Sequence, residues 1–195
     1  MKRSLLSIIV LFISFAAFSQ ASSGTWNSKT ATYTKTTHKI TWQLIEDLTW
    51  VGRPILTDDT LLKVRNDDTH ILVSLSASND RIAEADPWDY VTDFESPEYT
   101  QPKKLLAKQN GMTYIGTKAV KSQLCGIHAV KTRSDMKRYY PEHQATVHGI
   151  EILYMFYLRG KVYTVSVTAL SVLEEEIEVF DRIATELFNG FSIKQ

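Results

Sequence analysis

The chain has 195 residues, 44% of them hydrophobic, and its 22 basic residues balance 22 acidic ones. That length builds one domain with a full core, not two comfortable ones. The even charge argues against a nucleic-acid binder, which would carry a clustered basic excess.

Lys2 and Arg3 precede an apolar run from Leu5 to Phe18 broken only by serines. Ala17-Phe18-Ser19 then supplies small residues at the positions a signal peptidase inspects, so cleavage near Ser19/Gln20 is expected. The run is too short for a bilayer-spanning helix, which needs roughly 20 residues, and no later stretch approaches that length. Residues 1–19 therefore read as a signal peptide and residues 38–195 as one domain. The mature chain is expected to be exported, periplasmic or extracellular, with no transmembrane segment. In an oxidising compartment the lone Cys125 forms no internal disulfide. It is expected as a small apolar residue on a buried strand, with a reactive or intermolecular thiol as the competing reading.

Residues 20–37 form a Ser/Thr-rich lead-in, although the alternation from Thr30 could equally be an edge strand. Ile40, Trp42 and Leu44 alternate with Thr41 and Gln43, the period of a half-buried strand. Gly52 and Pro54 punctuate the connection that follows. Leu61–Arg65 and His70–Ala77 flank Asn66-Asp67-Asp68-Thr69, which predicts a hairpin. His70 beside Asp67 and Asp68 reads as turn chemistry before metal chemistry. Asp86-Pro87 is a helix cap with proline at the first helical position, and Trp88, Val91 and Phe94 would share a face up to Pro97. A second helix is predicted from Pro102 through Lys108, seeded by Leu105 and Leu106 and stopped by Gly111.

Strands return at about 112–123, 126–133, 146–159 and 161–169. Both parities of HGIEILYMFYLR are apolar at the centre, which predicts an interior strand covered on both sides. Arg159-Gly160-Lys161 is a tight turn, and Tyr163, Val165, Val167 and Ala169 follow on a buried face. Leu173, Ile177, Phe180, Ile183, Ala184, Leu187 and Phe188 recur at helical spacing. Glu174–Glu176 sit where negative charge complements the helix dipole. Gly190 is placed to end that helix and Phe191 to pack the tail on the core. The fold class expected is α+β: an antiparallel β-sheet sandwiched by helices, with a long C-terminal amphipathic helix.

The stretch MKRYYPEHQATVHG, residues 136–149, raises the question of a metal or catalytic site. His143 and His148 would point to opposite faces of a strand and lie roughly 140° apart on a helix. With no HExxH helix and no CxxC pair, a loop is the better reading. Tyr139 and Tyr140 beside Lys137 and Arg138 could anchor a partner or simply cover the sandwich edge. The candidate binding residues are Tyr139, Tyr140, Arg138 and His143. No catalytic set, metal site or cofactor is expected: GxxxxGK(S/T), GxGxxG and GxSxG are all absent.

The C-terminal part of the chain resembles the PsbP-like family. CGIHAVKTRSD is similar to the Gly-x-x-Ala strand opening the second half of that domain. The long strand EILYMFYLRGK, then GKVYTVSVTAL, then the helix ending FDRIATELFNGFSI complete the pattern. The matched positions are Gly126, Ala129, Gly160, Tyr163, Phe180 and Phe191, all packing positions. The early proline-tryptophan element of the family is represented only by LTWVGRP. The resemblance implies an antiparallel sheet between helices and an accessory, partner-binding role. Members of the fold include a photosystem lumenal subunit, a Ran-binding import factor and bacterial envelope proteins of the DcrB type.

Three functions are thus expected, in descending order. The first is an exported non-enzymatic accessory protein binding a protein or envelope component. The second is a small-molecule or lipid binder walled by Trp42, Trp50 and Trp88. The third is a metal-dependent hydrolase around Glu142, His143 and His148.

Overall fold

The computed structural model describes residues 24–52, 60–78 and 86–194. The signal-peptide reading of residues 1–19 and the turn at Pro54 lie outside the described residues. Eleven strands are described, and they form two antiparallel sheets. The larger has the order β4-β5-β6-β10-β9-β8-β7, built from Trp50–Gly52, Thr60–Asn66, Ile71–Ser78, Lys161–Leu173, Ala145–Leu158, Ile127–Tyr140 and Thr113–Leu124. The smaller has the order β1-β2-β3-β11, built from Thr25–Asn27, Thr32–Lys35, Ile40–Gln43 and Phe191–Ile193. Two α-helices, α1 (Pro97–Gln109) and α2 (Ile177–Asn189), and a 3-10 helix, Pro87–Glu95, complete the α+β architecture.

The long apolar strand β9 lies between β10 and β8, as its two-sided pattern requires. Ile150, Ile152 and Phe156 meet Val165, Val167, Ala169, Val73 and Leu75 in the core. Trp42, Phe191 and Tyr33 close it from the smaller sheet, and Phe180, Ala184, Leu187 and Phe188 close it from α2. The segment from Thr25 to Lys35, all within the expected lead-in with an edge strand offered only from Thr30, supplies two strands of that smaller sheet. Leu173, grouped with the C-terminal helix by its spacing, instead ends β10, and Glu174–Glu176 form a 3-10 turn before α2 begins.

Turn chemistry sets the registers. Leu158 pairs with Lys161, so Arg159 and Gly160 alone make the turn, with φ of 52° and 70°. Both values suit the two-residue turn that matches strand twist. Asn66 is buried yet satisfied. Its amide donates to the Thr49 carbonyl at 2.8 Å, and its oxygen accepts from the Thr69 amide at 2.7 Å and the Thr69 hydroxyl at 2.6 Å. The aspartates beside His70 are therefore part of a turn, and Asp67 pairs with Arg65 at 2.5 Å.

Asp86 caps the 3-10 helix, its carboxylate accepting the Trp88 amide at 3.0 Å. Helix α1 starts at Ser96-Pro97, earlier than its leucines suggest, and carries Pro102 inside. It ends as expected. Gly111, at φ 66°, donates to the Lys108 carbonyl, and Met112 donates to that of Ala107 at 2.8 Å, a Schellman closure.

The orientation of α1 departs from the expectation. Leu105 is 53% exposed and Leu106 is also exposed, whereas Thr100 and Ala107 are buried. The sheet under this helix is polar. The Thr117 hydroxyl bonds those of Tyr114 and Ser134 at 2.7 Å each, and Lys103 pairs with Glu151 of β9. Burial pushes the Lys103 amine down, but the adjacent Glu151 carboxylate and Tyr99 outweigh it and hold the amine above its usual range. Glu151→Ala, which leaves the ammonium without its counter-charge, should cost about 2–3 kcal/mol in a denaturant titration. Because the folded value is raised, the pair's contribution is complete below the unfolded value of about 10.4. It should be lost as pH rises through the higher folded one.

Candidate functional site

The four sequence candidates converge on the tip of the longest hairpin. Strand β8 continues to Tyr140 and β9 begins at Ala145, with Tyr139 opposite Thr146 and Tyr140 opposite Ala145. The 136–149 stretch read as a loop is therefore mostly strand, and the turn is confined to residues 141–144. It is held by the His143 amide on the Tyr140 carbonyl and the Gln144 amide on that of Pro141, both at 3.2 Å. The reason is pairing: β9 offers backbone partners as far as Ala145, so β8 extends to meet them.

Strand alternation then separates the two tyrosines, which sequence adjacency had suggested as one aromatic pair. Tyr139 shares its face with Lys137 and is 57% exposed. Tyr140 is half-buried on the opposite face, where the Arg138 guanidinium lies over its ring at 4.4 Å. Arg138 also reaches the end of α1: a side-chain carbon on Gly111 would sit 3.0 Å from its Nη1. Lys104 of the same helix lies 5.9 Å from the ring centre of Tyr114. Basic and aromatic groups thus alternate around the tip, with a cation resting on each ring of the α1 side. His143 is exposed in the turn, and His148 lies within β9 opposite Lys137. Among the described residues, no group of three or more His, Cys, Asp or Glu is placed to hold a metal ion.

The tryptophans of the small-molecule reading are structural. Trp42 is wholly buried and donates to the Leu187 carbonyl at 2.7 Å. Trp50 is buried and donates to that of Ile45 at 2.9 Å. Trp88 stacks on His128 with ring centres 3.6 Å apart and donates to the carbonyls of Ser122 and Ala129. His128 Nδ1 meets Asp86 at 2.8 Å. The Trp88 amide and then His128 hold the Asp86 carboxyl below its ordinary value.

Cys125 differs from expectation as well. It is exposed in the β7–β8 turn at φ 54°, not buried on a strand, because Leu124 pairs with Ile127 and leaves Cys125 and Gly126 as the turn. Its thiol donates to the Phe191 carbonyl at 3.0 Å, and partial desolvation of the sulfur pushes its pKa up, away from thiolate reactivity.

The β-sheet order and the packing positions Gly126, Ala129, Gly160, Tyr163, Phe180 and Phe191 invite comparison with solved structures. The chain is similar to cyanobacterial PsbP. That solution structure, from Synechocystis sp. PCC 6803, is 12% identical over 88% of this chain and 96% of its own, with a TM-score of 0.49. A mutant form of Mog1 is 11% identical over 80% of this chain and 90% of its own, with a TM-score of 0.41. A Bacteroides thetaiotaomicron protein is also 11% identical over 80% of this chain but only 46% of its own, with a TM-score of 0.40. No family model and no curated protein matches the sequence. Cyanobacterial PsbP, of the family that the C-terminal motifs resemble, is among these similar structures.

Proposed function

We propose that this chain is an exported, non-enzymatic accessory protein of the cell envelope that binds a protein partner through the β8–β9 tip. The observation that carries this reading is the two-sidedness of the tip. Tyr139 with Lys137 faces one way and the Arg138–Tyr140 pair faces the other. A flat partner would meet one side only, so the fitting partner has a cleft that takes the hairpin as a finger. Lys137, Arg138 and Lys104 make that cleft acidic, by complementarity of charge. Arg and Tyr are the residue types that carry most binding energy at such contacts. Export rests on the basic, apolar and small-residue order of residues 1–19. Among the described residues, no helix is long and apolar enough to cross a membrane.

In the same reading the seven-stranded sheet is sandwiched by helices, with the C-terminal helix as the long amphipathic element. In support, Glu151 of β9 holds Lys103 of α1, while Tyr154 packs edge-on against Phe188 of α2 at 4.7 Å. Residues 151 and 154 have opposite parity and so point to opposite faces.

Tyr139→Ala with Tyr140→Ala should leave the fold intact and weaken capture of the partner at least about tenfold, or ~1.4 kcal/mol. A photo-crosslinking residue at position 139 in the parent chain identifies that partner in the native envelope. If the folded double variant captures the crosslinked partner as well as the parent does, the contact surface lies elsewhere.

A further inference from the structure

The seven-stranded sheet ends in two unlike edges. On one side β4 has three residues, and on the other β7 has 12. Among the described residues, no strand pairs with the outer side of β7. A long open edge is a template for another strand, because its outward amides and carbonyls keep their hydrogen-bonding capacity.

Two contacts show which backbone groups of β7 face outward. The Trp88 indole donates to the carbonyls of both Ser122 and Ala129, at 2.9 and 3.1 Å, and these two residues are cross-strand partners. Two carbonyls of one pair come that close only where the pair exchanges its hydrogen bonds, so Ser122 bonds inward to β8. The Ala119 amide donates instead to a Glu95 carboxylate oxygen at 2.8 Å. Odd residues therefore turn their backbone outward: Thr117, Ala119, Lys121 and Gln123. Side chains alternate as well. Lys121 lies over the Trp88 ring at 5.8 Å, which puts it, with Ala119, on the face of the 3-10 helix. Val120, 53% exposed, lies on the other face.

We infer that β7 pairs antiparallel with β7 of a second copy, about a twofold axis at Val120. Parity and charge select this register. Outward groups meet outward groups only if the axis passes through a residue and not between two. An axis at Lys118 or Lys121 would set identical lysines face to face, and one at Ala119 would bring the two Glu95 carboxylates together. An axis nearer either end runs into the bulge between Tyr114 and Gly116 or the turn at Cys125 and Gly126. At Val120 the valine meets its own copy, and Lys118 lies opposite Ser122. Ala119 then lies opposite Lys121 of the second copy. The Ala119 amide passes from Glu95 to the backbone carbonyl of that lysine, and Glu95 pairs with its ammonium. One carboxylate thus satisfies the edge amide in the single chain and the incoming lysine in the pair. Thr113 lies opposite Lys137, so the Tyr139 tips extend past the paired stretch and stay free at opposite ends of the joined sheet.

Sedimentation equilibrium of the chain isolated from its native source should show monomer and dimer exchanging in the micromolar range. Hydrogen exchange should slow at the amides of Thr117, Lys121 and Gln123 as concentration rises, and not along β4. Val120→Lys, at an exposed position, should weaken dimerisation at least about tenfold by setting two charges on the axis. Lys121→Glu should weaken it similarly, and Glu95→Lys combined with Lys121→Glu should restore it, a recovery that a merely structural role for either residue would not give. A chain that stays monomeric, a dimer whose β7 amides exchange freely, or a reversed pair that does not recover overturns the inference. Protection of the same amides by a co-purifying chain of different mass also overturns it and assigns the edge to another protein.

Discussion

Trp42→Ala should be the most destabilising single truncation in the chain, about 4 kcal/mol by denaturant midpoint. The side chain has no exposed surface, packs edge-on to Phe191 at 5.4 Å, and donates to the Leu187 carbonyl. Leu187 lies in the last turn of α2, where carbonyls lack an intrahelical donor. Trp42 therefore fills the core and closes the helix end in one contact. Trp42→Phe separates the two contributions. It keeps most of the apolar volume, loses the hydrogen bond, and should cost about half as much. An equal loss in both variants would assign the whole effect to the hydrogen bond.

Gly190→Ala should destabilise by about 3 kcal/mol through a different cause. A side-chain carbon there would lie 1.9 Å from the Gln43 carbonyl oxygen, a backbone atom of β3. The Gln43 amide also donates to the Gly190 carbonyl at 2.9 Å, so the two segments cannot part without breaking the junction of α2 with the smaller sheet. The φ of Gly190 is −75°, ordinary helical backbone, so conformational freedom does not explain the glycine. Close approach does. Calorimetry should show a lowered melting temperature with a similar enthalpy. A variant as stable as the parent would mean that β3 moves aside at little cost.

These two sites mark what the sequence made legible. The alternation around Trp42, the two-sided pattern of β9 and the periodicity of Phe180, Ala184 and Leu187 are signals of burial, and burial is what they report. Helix α1 shows the opposite case. Leu105 and Leu106 announce an apolar face, yet the helix rests on Thr100, Lys103 and Ala107 above a hydroxyl-lined sheet. A polar layer leaves no apolar period to detect, and its partners come from strands far away in sequence. The boundary between β8 and its turn was hidden for a related reason. Pro141 and the charged residues beside it read as connector, while the extent of pairing depends on the length of β9. The contacts of Arg159 have no local motif, since its guanidinium reaches the carbonyls of His38 and Lys194 only once both sheets are folded. Cys125 was misplaced because a two-residue turn commonly takes Asn or Asp before Gly, and cysteine gives no such signal.

The hairpin tip rests on residues legible as types but not as geometry. Tyr139, Tyr140, Arg138 and His143 are brought to one place, and alternation divides them between two faces. That division predicts unequal effects. Tyr139→Ala acts on an exposed ring and should change stability by less than about 0.5 kcal/mol. Tyr140→Ala removes the ring under Arg138 and should cost about 1 kcal/mol more.

The most direct test of the central claim is native mass spectrometry of the chain isolated from its native source under gentle conditions, alongside the Tyr139→Ala, Tyr140→Ala variant. The account predicts a chain mass corresponding to residues 20–195, bound to a protein partner in the parent and not in the variant. A chain that retains residues 1–19, or a partner held equally by parent and variant, would contradict it.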